Sequence, residues 1–166
     1  MLKNNIYDFV RLFIGSPSAR CRALVRLMNV CRVANYMRVA KFFSNRLKAK
    51  GLHISHKSKI DRTLSLPHPI AIVIGEGVVV KKNVSIYQNV TLGGARLGDA
   101  KDGNYPTVNE GAVIFAGAVV VGNVTLGKNC IIGANSVVLI DVPDNAVCAG
   151  VPAKIISENT KRLSDI

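Results

Sequence analysis

A mainly β chain, wound as a three-sided coil of short parallel strands behind a basic helical segment, is the architecture this sequence predicts. Three observations predict it. An aliphatic residue recurs every six positions at Ile74, Val80, Ile86 and Leu92, and again at Val108, Ile114, Val120, Leu126, Ile132 and Val138. Glycine often follows it, as in Ile74-Gly75, Leu92-Gly93, Leu126-Gly127 and Ile132-Gly133. The apolar material is aliphatic: 49% of the 166 residues are hydrophobic, 5% are aromatic and Trp is absent. That composition excludes general disorder and favours thin, repeated layers of Val, Ile, Leu and Ala over a globule filled by large rings.

A period of six fits neither a helix nor an alternating strand. It fits a chain that turns a corner every six residues, with three sides to a coil. The aliphatic residue points inward. Four positions later a second small or branched residue (Val78, Val84, Val90, Ala112, Ala118, Val124, Cys130, Ser136, Val142) packs near the corner. Gly and Asn supply turn conformations that other residues reach only under strain. Each coil stacks on the next as a parallel strand. A weaker series, Ile54, Ile60 and Leu66, precedes the main one and joins it with an offset of eight. Together the hexads make roughly four coils of about eighteen residues.

The coil domain is expected over 52–156, with a loop ejected at 93–107, because the polar, Gly-rich stretch between Leu92 and Val108 breaks the period. Loops that interrupt a regular scaffold often carry function. Residues 1–51 form the helical segment. Leu24, Leu27, Val30, Cys31, Ala34, Met37 and Ala40 fall at helical steps, and Ser16-Pro17 is a helix start. One or two helices are expected over 18–50. Residues 157–166 are read as a short helix or tail.

The charge is lopsided. Residues 1–50 hold eleven Lys/Arg and one acid, Asp8; residues 51–166 hold eleven and nine. The charge leaves open an anionic partner for the first segment (membrane lipid, acidic polysaccharide or nucleic acid) and a plain solvated helix face; of these partners, nucleic acid is the one not expected. Cys21, Cys31, Cys130 and Cys148 lack CxxC spacing and read as core residues in a reducing compartment. No long apolar run and no signal-peptide pattern is seen, so a cytoplasmic protein, peripheral to the inner membrane face at most, is expected.

The histidines are His53, His56 and His68. Their spacing is no standard zinc signature, and no metal is expected. His68 lies between Pro67 and Pro69, which restrict the backbone and can hold an imidazole in a fixed direction. A general base and an exposed turn residue both remain open for it on these residues alone.

The runs Ile74-Gly75-Glu76, Val84 to Gly94, Ile132 to Val138 and Ala149 to Lys154 resemble the hexapeptide-repeat acyltransferases, and the serine acetyltransferase branch is closest in pattern. The resemblance covers about residues 53–156. It implies a left-handed parallel β-helix, a homotrimer, and acetyl-CoA as donor in a groove between subunits. It implies that His68 is the general base. It places Gly94, Ala116 and Ala134 along the cofactor groove and Lys154 near a CoA phosphate. An Asp of that branch is replaced by Pro67, a second by His53, and an Arg-His pair by Asn104-Tyr105. His53, Glu76, Asn104 and Tyr105 are therefore candidates for supporting His68 or holding the acceptor. Loss of a carboxylate and an Arg together removes both halves of a zwitterion clamp. The expected acceptor is accordingly a hydroxyl of a sugar or a capsular or surface polysaccharide precursor, lipid-linked or acidic. The alternatives are a serine O-acetyltransferase with an altered clamp, a sugar N-acetyltransferase, a non-catalytic trimeric scaffold and, least of all, a metal-dependent hydratase.

Overall fold

The structure is a computed structural model and describes residues 2–158. The six-residue period folds as predicted into a left-handed parallel β-helix with three sheets. The first sheet stacks β1 (His53–Ile54), β3 (Val73–Ile74), β6 (Thr91–Gly93), β9 (Val119–Val121) and β12 (Val137–Val138). The second stacks β2 (Lys59–Ile60), β4 (Val79–Val80), β7 (Thr107–Val108) and β10 (Thr125–Leu126). The third stacks β5 (Ser85–Ile86), β8 (Val113–Ile114), β11 (Ile131–Ile132) and β13 (Val147–Gly150), with β14 (Ala153–Ser157) added antiparallel. Isolated bridges from Ser65 to Ser85 and from Leu126 to Val142 supply the missing sides of the first and last coils.

The chain completes five coils, not the roughly four that the hexads imply. Val142 and Cys148 close the last one after the period of six has ended. The register puts like on like: Ile54, Ile74, Leu92, Val120 and Val138 face one another up the first sheet, and all are buried. Each such side chain contributes about 1.5–3 kcal/mol over an exposed one. The second inward position is filled by Val78, Val84, Ala112 and Ala118, also buried.

The corner that leads from the third sheet back to the first, the third corner, needs one left-handed residue per coil. Ala71 (φ 51°), Asn89 (φ 59°), Gly117 (φ 74°) and Asn135 (φ 55°) occupy that rung in turn. Asn tolerates this conformation and Gly117 adopts it freely, but Ala71 is strained by it. A Cβ on Gly117 would also strike the Oδ1 of Asn135 one coil above.

Three helices precede the coil, one more than the expected maximum. The additional helix is α1 (Leu2–Ile14), which lies before the stretch in which helices are expected. α2 (Pro17–Val33) begins where Ser16-Pro17 predicts, and the Ser16 hydroxyl accepts from the Ala19 N–H at 3.3 Å. α3 (Met37–Lys48) ends before Gly51. Met28, Ala40, Leu47 and Leu52 bury this segment into the same core as the coils, and Ser44 Oγ donates to the Ile54 carbonyl at 2.6 Å. α1 is tied down by Asp8, which pairs with Arg26 at 3.0 Å.

The ejected loop runs over 94–106, one residue inside each expected boundary, and carries one helical turn, α4 (Asp99–Asp102). Ser157 belongs to β14 and not to a tail. The rest of the expected tail, 159–166, lies outside the described residues.

Candidate active site

The two extra residues between Leu66 and Ile74 bulge out at the third corner and carry His68. Its ring is exposed, and its carbonyl accepts from the Ile70 N–H at 2.8 Å, which tightens the turn. The Pro67 carbonyl accepts from Ser18 Oγ at 3.4 Å, so the start of α2 braces the same turn. The His68 ring stands 6.1 Å from the ring of Tyr87, tilted by 52°. Tyr87 lies 5.1 Å from Phe115 in the coil above.

Above that aromatic shelf the corner becomes small. The rungs continue through Ala116, Gly133 and Ala134, and the Ala116 carbonyl accepts from the Asn135 N–H at 2.9 Å. A Cβ on Gly133 would meet Cβ of Ala149 at 2.8 Å. Ala149 pairs across the antiparallel ladder with Lys154, which is exposed. His68, Ala116, Ala134 and Lys154 therefore share one edge of the column. Three coil spacings separate the rungs of His68 and Ala134, about 14 Å at the usual distance between strands. A flat strip of that length suits an extended chain laid against backbone.

The other expected residues lie elsewhere within one protomer. Glu76 sits at the first corner, between the first and second sheets, and pairs with Lys57 at 3.0 Å. Tyr105 covers that corner, where its ring fills the space a Cβ on Gly75 or Gly77 would need. Asn104 donates its Nδ2 to Asp99 at 3.3 Å. Gly94 opens the loop against the Asp99 side chain. Asp99 also accepts from the Ala95 and Arg96 N–H groups at 2.6 and 2.7 Å. The Arg96 N–H foremost, helped by Asn104 and Ala95 against the cost of burial, holds the Asp99 carboxyl below its ordinary value. His53 projects outward from the first sheet beside the strand that His68 leads into. Among the described residues it forms no hydrogen bond with His68. His56 lies near Lys41, Lys57 and Lys48; desolvation first, then these cations, push its pKa down.

Burial raises the pKa of Cys130 to about 12 and also raises that of Cys148; both are core residues. Among the described residues no group of His, Cys, Asp and Glu is placed to hold a metal ion. A cavity of about 830 Å³ lies between α2 and the second sheet, and none of the expected site residues lines it.

Tyr87, Phe115 and Gln88 share the corner of His68 and are not among the residues expected from the sequence. The signal was present in the repeat. The position after the inward aliphatic, Gly in several coils, is aromatic after Ile86 and Ile114, and both fall on the corner of His68. Gln88 is next on that corner, and its Oε1 is buried without a hydrogen-bond partner among the described residues.

Residues 105–139 match the family described as bacterial transferase hexapeptide (six repeats). The chain is similar to a serine acetyltransferase of Bacillus licheniformis, 38% identical over 125 residues, which is 75% of this chain and 54% of that protein. The chain thus spans about half the length of the curated relatives it matches. Its fold is similar to that of a serine acetyltransferase from Brucella abortus, with a TM-score of 0.79 and 28% identity over 96% of this chain and 70% of the other. It is also similar to a serine acetyltransferase solved in complex with CoA, with a TM-score of 0.76 and 35% identity over 89% of this chain and 60% of the other. These likenesses overturn the expectation of a sugar or polysaccharide acceptor. That expectation rested on residues missing from a clamp, whereas the likenesses over most of the chain are to serine acetyltransferases. The repeat, the coil and the likenesses together show that the chain belongs to the hexapeptide-repeat acyltransferase superfamily.

Proposed function

We propose that this chain is an acetyl-CoA-dependent serine O-acetyltransferase with an altered substrate clamp, and that His68 is its general base. The observation that carries the reading is the third corner itself. An imidazole stands on a turn restricted by two prolines, at the foot of a strip of small residues that ends near Lys154. The likeness to serine acetyltransferases, one of them bound to CoA, supports the choice of donor and acceptor.

In this reading the pantetheine arm lies along Ala116 and Ala134, where methyl groups let it approach the backbone, and Lys154 meets a phosphate. His68 removes the hydroxyl proton of serine as that oxygen attacks the acetyl carbonyl. The tetrahedral intermediate collapses, the carbon–sulfur bond breaks, and the CoA thiolate leaves and takes up a proton. The product is the oxygen ester.

The loop supports a multimeric site. Asn104, Tyr105 and Gly94 sit at the first corner and His68 at the third, so one protomer does not bring them together. In a trimer the loop of one copy joins the His68 corner of the next, and the shared seam completes the site. Asn104 offers a neutral amide where the resemblance places an Arg, so it holds a carboxylate less tightly. The unpartnered Gln88 Oε1 is an acceptor available to an ammonium group.

The test is an acceptor panel. Purified protein with acetyl-CoA is expected to release CoA thiol with L-serine and to form an alkali-labile O-acetyl product. Turnover with sugar hydroxyls and none with serine would overturn the reading.

A further inference from the structure

α1 is inside out. Its one carboxylate, Asp8, faces the protein and is 2% exposed, while Phe13 and Ile14 are 66% and 80% exposed. Ile6, Phe9, Val10 and Phe13 recur at steps of three and four and so form one stripe. Asp8 and Leu12, four apart, form the face that packs inward. An exposed apolar stripe on a helix whose polar face is buried is the reverse of a surface helix, and it marks a contact surface. Phe9 and Phe13 stack edge to face within the stripe at 5.5 Å.

Cations flank the stripe: Arg11 lies on α1 with its side chain half exposed, and Arg20 donates to the Phe13 carbonyl at 2.9 Å. Asp8 is the one acid against eleven Lys/Arg in residues 1–50. It is buried and paired with Arg26, with Arg62 and Arg11 also within 4 Å. The segment therefore presents cations and no carboxylate to its surroundings. A second copy of the same face would bring two cationic surfaces together. An anionic lipid surface complements both the stripe and the charge. No helix among the described residues is long and apolar enough to cross a membrane.

We propose that α1 is an interfacial anchor that seats Ile6, Phe9, Val10 and Phe13 in the surface of an anionic phospholipid bilayer. The stripe from Ile6 to Phe13 runs about 10 Å along the helix, two turns of contact. The turn after it leads into α2, whose Ser18 touches the Pro67 carbonyl, so docking holds the His68 corner beside the bilayer. The anchor does not depend on which acceptor the enzyme uses.

The test uses the whole chain with vesicles of equal parts phosphatidylglycerol and phosphatidylcholine, and with vesicles of phosphatidylcholine alone. Cosedimentation is expected with the anionic vesicles, at least about tenfold stronger than with the neutral ones and weakened by salt. The double substitution Phe9→Ser/Phe13→Ser is expected to lower it by at least about tenfold, with the circular dichroism spectrum retained. Because the chain has no Trp, Phe13→Trp gives a single reporter, whose emission is expected to shift to the blue only on anionic vesicles. Absence of binding, binding unchanged by the Ser substitutions, or no shift of the reporter would overturn the proposal. A reporter already shifted in buffer, with a larger sedimenting species that Phe9→Ser/Phe13→Ser disperses, would mean that a second copy covers α1, and would overturn it equally.

Discussion

The ring of Tyr87 lies 6.1 Å from the ring of His68 and is tilted by 52° to it, one coil above. Phe115 supports Tyr87 from the next coil at 5.1 Å. With His68 as the proposed general base, this aromatic column would limit where the imidazole swings, and Tyr87 would act as a positioning residue. Tyr87→Phe is expected to keep kcat within about twofold, and Tyr87→Ala to lower kcat by about tenfold while KM for acetyl-CoA changes little. Steady-state kinetics with both substrates check this. A purely structural role would instead lower the melting temperature of Tyr87→Ala and leave kcat per folded enzyme unchanged.

Ala71 holds φ 51° on the rung that Asn89, Gly117 and Asn135 occupy in later coils. A Cβ in this conformation costs about 1–2 kcal/mol. Ala71→Gly is expected to stabilise the protein by about 0.5–1 kcal/mol after the added entropy of glycine is offset. Urea unfolding checks it. If acetyl transfer falls while stability rises, the strain three residues beyond His68 serves the geometry of its turn.

Asp99 ties the ejected loop together by accepting two backbone N–H groups at 2.6 and 2.7 Å. Its pKa is lowered from 3.8, mainly by the Arg96 N–H. A lowered carboxyl stabilises the folded loop fully above the ordinary value, and loses that contribution as the pH falls through its own lower value. Hydrogen-exchange protection at Ala95 and Arg96 is therefore expected to hold above 3.8 and to fall below it. Asp99→Ala is expected to abolish the dependence and to expose the loop to trypsin at Arg96 and Lys101 at least about fivefold faster.

The coil was legible in the sequence because a solenoid repeats one physical solution. Each inward aliphatic from Val108 to Val138 meets the same demand, so the period survives variation at every other position. The fifth coil was not legible, because Val142 and Cys148 reach their sheets outside the six-residue count. α1 was legible as a helix, because Ile6, Phe9, Val10 and Phe13 recur at helical steps, but which way that stripe faces was not; the structure turns it outward and Asp8 inward. His68 could be singled out by its two prolines. Its separation from Glu76 follows from the period, because residues eight apart in a coil fall on different corners; that from Tyr105 could not be read, because the ejected loop breaks the count. The expectation of a sugar acceptor gave substituted clamp positions more weight than the likeness of the chain as a whole to serine acetyltransferases.

The most direct test of the account is the second-order rate constant for serine with the wild type and with His68→Gln at saturating acetyl-CoA, alongside calorimetric binding of CoA to both. A general base contributes about 10²–10⁴-fold. The account predicts a loss of that size in kcat/KM, with CoA affinity unchanged. A His68→Gln enzyme that acetylates serine within about threefold of the wild type would contradict it.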